Sequence, residues 1–189
     1  MNFANKISIS RILSVPFFIA SLIYYSAQRD YLRYVALGIF ILAVISDAVD
    51  GYIARKSKQF SKAGMVLDPL GDKLFLMSAF MCLCLINDFP RGIKFPIWVS
   101  LIVISRDALI LLGAVVIYMI KQNINISPTK WGKFTTIFQM AAVIAVLLQF
   151  YISFIFWWLA IIFTVISGID YIRRGFKTLY GLDNQRNNH

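Results

Sequence analysis

Of 189 residues, 59% are hydrophobic and 15% charged, against roughly 45 to 50% apolar and 25% charged in soluble domains, which excludes an ordinary water-soluble globule. The net charge of +10 would suit nucleic acid, but the cations cluster at the ends of apolar stretches, so the expected partners are membrane lipids and phosphorylated substrates, with no nucleic acid. The single histidine is His189 at the end of the sequence, which excludes a histidine base or a histidine-ligated zinc.

Crossing a hydrocarbon core of about 30 Å takes roughly 20 helical residues. Apolar stretches along the chain predict six transmembrane helices, near 12–28, 34–54, 69–87, 95–120, 133–151 and 153–172. Helices are selected because period-two alternation is absent and backbone groups in lipid must bond internally. The expected fold is an all-α polytopic membrane protein, one domain over 1–189, with a short amphipathic N-terminal segment. Lys6 and Arg11 precede the first span and no small-residue cleavage site follows it, so it reads as a retained helix and not a signal peptide.

Of the 19 Lys and Arg, fourteen fall in one set of alternate loops, among them Arg11, Lys73 and Lys133, and four in the other: Arg29, Arg33, Arg91 and Lys94. That asymmetry predicts that both termini are cytoplasmic, and the membrane expected is a bacterial cytoplasmic one. The remaining cation, Arg106, lies inside the fourth span. Cys82 and Cys84, two apart in the third span, read as packing residues. Trp98, Tyr118, Trp157 and Trp158 are candidate interface anchors or dimer contacts, and the polar tail from Leu182 to His189 is expected to be loose.

Four carboxylates interrupt this pattern. Asp47 and Asp50 end the second span, in Asp47-Ala-Val-Asp50-Gly51-Tyr-Ile-Ala54-Arg55, and Asp68 and Asp72 open the third, in Gly64-Met-Val-Leu-Asp68-Pro-Leu-Gly-Asp72. A carboxylate deep in a span costs roughly 2.5 to 3.5 kcal/mol on insertion scales, so four together call for a compensating partner. Spacings of three and four put each pair on one helix face. Asp68 is expected as the cap of the third helix with Pro69 in its first turn, so both pairs meet at the cytoplasmic ends of neighbouring antiparallel helices. Hard oxygen ligands without sulfur or imidazole suit Mg²⁺ or Mn²⁺. Gly51 and Ala54 leave room beside the first pair, Gly64 and Gly71 beside the second, and Arg55 offers a fork to phosphate oxygens. The plain alternative, acids that only neutralise nearby lysines at a water interface, fits Asp68 better than Asp47 and Asp50, which lie in an otherwise apolar run.

The pattern D-x2-D-G-x2-A-R-x8-G-x3-D-x3-D resembles the hallmark of the CDP-alcohol phosphatidyltransferases at every defined position, and Asn5-Lys6-Ile7-Ser8-Ile9-Ser10-Arg11 with Pro16 resembles that family's first helix. The resemblance implies transfer of a phosphatidyl group from CDP-diacylglycerol to an alcohol, with release of CMP. It implies a two-metal site held by Asp47, Asp50, Asp68 and Asp72, with Asp72 as general base and Asp50, Gly51, Ala54, Arg55 and Gly64 contacting the CDP moiety. It also implies a homodimer. No Ser, Cys or His is placed as an activated nucleophile, which favours direct attack by the acceptor.

Arg106 and Asp107 are the second set of charges inside an apolar run. An arginine in mid-span usually faces the bundle interior and marks a substrate path; the alternative is a neutral Arg106–Asp107 pair, made awkward by side chains about 100° apart. Lys133 and Thr136, three apart at the start of the fifth span, share a face at the level of the aspartates. With Arg106 they would form a cationic pocket for an acceptor that carries its own phosphate, though Lys133 is also an ordinary interface lysine. Gly132-Lys133-x-x-Thr136-x-x-Gln139 resembles the acceptor-side segment of phosphatidylglycerophosphate synthases and of CDP-alcohol-type cardiolipin synthases. Arg106-Asp107-Ala108 and Ala114 depart from the glycerophosphate pattern of Arg-Glu-Ile followed by a second arginine. The favoured acceptor is sn-glycerol 3-phosphate, with phosphatidylglycerol as its rival. A different class, an ion or proton pathway, would also explain buried acids, but all four cluster at one face and no inverted repeat accompanies them.

Overall fold

The computed structural model describes the backbone of residues 3–57, 64–121 and 130–186, and side chains over most of that range. Among the described residues the chain is all-helical: α1 (Phe3–Ile23), α2 (Tyr31–Ser57), α3 (Gly64–Leu85), α4 (Ile97–Lys121), α5 (Lys130–Leu147) and α6 (Ser153–Arg186), with a single 3-10 turn at Ala27–Arg29. α1 packs against α2 and α3, α5 packs along α6, and α4 joins the two groups by contacting both α3 and α6.

Tyr31–Val49 and Ser153–Arg173 are long and apolar enough to cross a membrane; α1, α3 and α5 carry shorter apolar stretches. The bundle's outer surface is itself apolar, with Phe17, Ile23, Leu42, Leu101, Leu109 and Ile162 all exposed, whereas Arg11, Arg33, Arg106, Asp107, Gln139 and Thr164 are buried. Water disfavours that arrangement and hydrocarbon favours it. Phe18 of α1, Phe40 of α2 and Phe75 of α3 pack as tilted rings with centroids 5.2 to 6.0 Å apart and fix the core of the first group.

Several expected boundaries move. α1 begins at Phe3 and stops at Ile23, so the N-terminal segment is continuous with the first span and Tyr24–Ser26 is not helical. α3 begins at Gly64, which puts Asp68 and Pro69 inside the helix, not at its cap and first turn. The apolar residues Met65, Val66 and Leu67 extend the helix N-terminally, and a proline this near the start removes only one intrahelical bond. α5 ends at Leu147 because Gln149 adopts φ 55, a left-handed conformation that terminates the helix. α6 continues to Arg186, so most of the tail expected to be loose is helical. Its polar sequence contains no proline, and helix propagation from an anchored apolar segment is cheap.

Cys84 is buried in the core and Cys82 packs against it, both as free thiols. Trp98 contacts Trp157 at 5.8 Å and Trp158 at 5.6 Å, an aromatic cluster at the start of α4 and α6. The Tyr118 side chain lies outside the described residues.

Candidate active site

The helices bring the aspartate-bearing segments to one end of the bundle. Phe40 of α2 contacts Phe75 of α3 at 5.5 Å between ring centroids, and the two helices run in opposite directions. Asp47 lies two turns beyond Phe40, about 10 Å along the axis at 1.5 Å per residue, and Asp72 and Asp68 lie one and two turns from Phe75 toward the same end. A small cavity beside this contact is lined by Arg11, Asp47, Phe75 and Met140 and so joins α1, α2, α3 and α5.

Asp47 is the one aspartate of the four whose side chain is described. Its Oδ1 accepts from Arg11 Nη1 at 3.0 Å. Arg11 is almost wholly enclosed, at 3% exposure, while Asp47 remains 36% exposed, leaving its carboxylate open to a second partner. The side chains of Asp50, Gly51, Ala54, Arg55, Gly64, Asp68 and Asp72 lie outside the described residues, although their backbones belong to α2 and α3. Among the described residues no group of three His, Cys, Asp or Glu is positioned to hold a metal ion. Asp47 is the described part of the expected donor set, and its partly open carboxylate is a hard oxygen ligand of the kind that Mg²⁺ or Mn²⁺ would take.

A second constellation lies in mid-bundle. Asp107 of α4 is completely buried; its Oδ1 accepts from Lys73 Nζ of α3 at 3.0 Å and from Arg106 Nη1 at 2.6 Å. Arg106 Nη2 donates to Ser167 Oγ of α6. The neighbouring pair expected to be awkward is therefore made: the long arginine side chain bends back to a carboxylate that Lys73 also holds in place. Asp107 Oδ2 and Arg106 Nε are buried without a hydrogen-bond partner among the described residues.

A polar seam continues toward α5. Gln139 Nε2 donates to Thr164 Oγ1 at 3.3 Å, and the Thr135 hydroxyl lies within reach of two acceptor carbonyls, Trp131 at 2.9 Å and Phe163 at 3.0 Å. Lys133 is exposed, and Thr136 donates back to Gly132 O at 3.1 Å. No described contact joins Lys133 to Arg106. Between α4 and α6 a groove of about 420 Å³ is lined by Arg106, Thr164, Gly168 and Tyr171 and otherwise mainly by apolar side chains.

Arg11 and Lys73, loop cations by sequence, are thus interhelical ion-pair partners of Asp47 and Asp107, while Arg33 pairs with Asp30 just before α2. The cation asymmetry survives their removal from the count. Ser167 and Thr164 were not singled out in the sequence; the available signal was their spacing of three in an otherwise apolar run, ahead of Gly168 and Asp170.

Residues 1–166 match the family model described as CDP-alcohol phosphatidyltransferase. A Bacillus subtilis protein named CDP-diacylglycerol–glycerol-3-phosphate 3-phosphatidyltransferase is 31% identical over 199 aligned positions, covering 94% of this chain and 97% of the relative. A protein of the same name from Aquifex aeolicus is 29% identical over 188 positions, 95% of this chain and 99% of the relative. A Schizosaccharomyces pombe protein, named as a fusion of CMP-forming cardiolipin synthase with a mitochondrial hydrolase, is 38% identical over 106 positions, 56% of this chain and 16% of the relative.

Proposed function

The chain belongs to the CDP-alcohol phosphatidyltransferase family and is a CMP-releasing phosphotransferase, and from that premise we propose that it transfers the phosphatidyl group of CDP-diacylglycerol to sn-glycerol 3-phosphate. The observation that carries this acceptor is the Arg106 guanidinium buried in mid-bundle, with the Lys73 ammonium beside it on the same Asp107 carboxylate. A phosphate-bearing alcohol is its natural complement. The names of the near full-length relatives from Bacillus subtilis and Aquifex aeolicus agree with this choice.

In the proposed site, Asp47, Asp50, Asp68 and Asp72 hold two divalent cations, Mg²⁺ or Mn²⁺. Bound there, the ions would neutralise the diphosphate and polarise the acceptor hydroxyl. Arg11 keeps the Asp47 carboxylate in place. Asp50, Gly51, Ala54, Arg55 and Gly64 seat the CDP moiety, with the Arg55 guanidinium on phosphate oxygens. Asp72 takes the proton as the hydroxyl oxygen attacks the lipid-side phosphorus and the bond to CMP breaks. Arg106 faces the acceptor, and Lys133 and Thr136 guide it from the start of α5. The bundle spans a bacterial cytoplasmic membrane six times with both termini and the aspartates on the cytoplasmic side, a reading supported by its apolar exterior and cation asymmetry.

A second reading, phosphatidylglycerol as acceptor, is favoured by the largely apolar groove beside Arg106 and by the matching segment of the Schizosaccharomyces pombe protein. Purified protein supplied with CDP-diacylglycerol, Mg²⁺ or Mn²⁺, and one acceptor at a time separates the two. Phosphatidylglycerophosphate as the product supports the first reading; cardiolipin, with glycerol 3-phosphate unused, replaces it by the second. Asp72→Asn is expected to lower CMP release about 100-fold or more, and an unchanged rate removes Asp72 as the base.

A further inference from the structure

We propose that Ser167 is a positioning residue, which fixes the second terminal nitrogen of Arg106 from α6 and so sets the guanidinium in the orientation that receives the acceptor's phosphate. The inference rests on the acceptor reading above and adds to it the α6 residue that aims its central cation.

Hydroxyls inside helices commonly turn back on their own backbone. Ser14, Ser21, Ser78, Thr136 and Thr164 do so, donating to carbonyls three or four residues earlier. Thr164, one turn before Ser167 on the same face of α6, donates to Ala160 O at 2.6 Å and accepts from Gln139, so both of its roles are filled locally. Ser167 is buried and departs from that pattern. Its Oγ accepts from Arg106 Nη2 of α4, and no described hydrogen bond returns its proton to α6. An arginine offers donors only, so the hydroxyl oxygen is committed to the guanidinium and not to its own helix.

Arg106 needs that second contact to point one way. Asp107 holds Nη1 at 2.6 Å, and a single contact leaves a long side chain of high rotamer entropy free to turn about it. A bond to the other terminal nitrogen, from a different helix, removes that freedom. The frame around the bond is closed on both sides. Toward one end, Trp98 of α4 packs against Trp157 and Trp158 of α6. Toward the other, Tyr171 Oη donates to Ile110 O at 3.3 Å, and its ring approaches α4 so closely that a Cβ on Gly113 would lie 2.9 Å from the hydroxyl. Arg106–Ser167 and Ile110–Tyr171 share the same offset of 61 residues, so the two contacts hold α4 and α6 in one register. The guanidinium is thus oriented before the acceptor arrives, which is how a binding group avoids a reorganisation cost on association.

Steady-state kinetics on the full chain in detergent micelles test this, with CDP-diacylglycerol and glycerol 3-phosphate varied separately. Ser167→Ala is expected to raise KM for glycerol 3-phosphate about tenfold, the loss of one charge-assisted hydrogen bond, and to leave KM for CDP-diacylglycerol unchanged. Arg106 stays paired with Asp107 in that variant, so the bundle keeps its ion pair. Ser167→Thr, which retains the hydroxyl, is expected to recover most of the acceptor KM. An acceptor KM within twofold of the unsubstituted protein in Ser167→Ala overturns the proposal, and so do equal changes in both KM values or a Ser167→Thr variant with no recovery. A serine that only ties α4 to α6 would lower the melting temperature and move neither KM. If the unsubstituted protein does not turn over glycerol 3-phosphate, the acceptor reading fails separately, and the same pair of KM values measured with phosphatidylglycerol decides the role of Ser167.

Discussion

Arg33 and Arg106 are both buried arginines, and they are satisfied in opposite ways. Arg33, near the start of α2, donates Nε and Nη2 to the two oxygens of Asp30 at 2.8 Å each and Nη1 to the carbonyl of Leu147, with Tyr34 against its guanidinium carbon. Around it Gln149 bonds the backbone of Ile93 and Val146, and Arg91 bonds the Gln149 carbonyl. This clamp joins the loops at the end of the bundle away from the aspartates. Arg106 has a shared carboxylate oxygen and one serine, and its Nε and the Oδ2 of Asp107 are buried without a hydrogen-bond partner among the described residues. The saturated network maintains shape, and the less saturated one is where the proposed acceptor reading expects its ligand.

The largest effect expected from that contrast is on activity. Arg106→Ala should lower kcat/KM for the acceptor about 100-fold, in the range for truncating one member of a buried charge pair, with little loss of thermal stability because Lys73 still pairs with Asp107. A large drop in melting temperature with unchanged kinetics would reverse the assignment of roles. Arg33→Ala should behave in the opposite sense, losing about 1 to 3 kcal/mol of stability through the unpaired Leu147 carbonyl and Asp30 while both KM values stay constant. Thermal unfolding in detergent beside initial rates reads both quantities, and an acceptor KM that moves would break the comparison.

The smallest effect is on pH dependence. Hydrogen bonding from Arg33 holds the Asp30 carboxyl below the usual carboxylate range. Because its folded value is depressed, its stabilising contribution is fully present above the ordinary carboxylate pKa and is lost as pH falls through the folded one. Asp30→Asn should therefore lower stability at neutral pH, where the pair contributes, and flatten the acid limb of the stability profile below about pH 4. An unaltered acid limb would remove Asp30 from the clamp's energetics.

The all-helical fold and the hallmark aspartates were legible because both are local patterns. Apolar runs and carboxylate spacings of three and four depend only on neighbouring residues and helix geometry. Helix ends were less legible. Asp68 and Pro69 carry the signals of a helix start, but the apolar turn before them extends α3 to Gly64. The break after Leu147 arises from the conformation and distant partners of Gln149, which no local motif announces.

Charges were the least legible feature, because the meaning of a cation depends on what faces it. Lys73 beside Asp72 has the appearance of a loop-end lysine, and only the approach of α3 to α4 converts it into a partner of Asp107. Arg11 changes in the same way when α1 settles against α2 and reaches Asp47. Composition and spacing determined the helical class and the pairing of the four aspartates, and the likeness to a family of phosphatidyl transfer enzymes supplied the residues expected to face metal and nucleotide. Tertiary structure alone decided which buried charges are saturated and which are not, since hydrogen-bond satisfaction is a property of distances between helices and not of the order of residues along them.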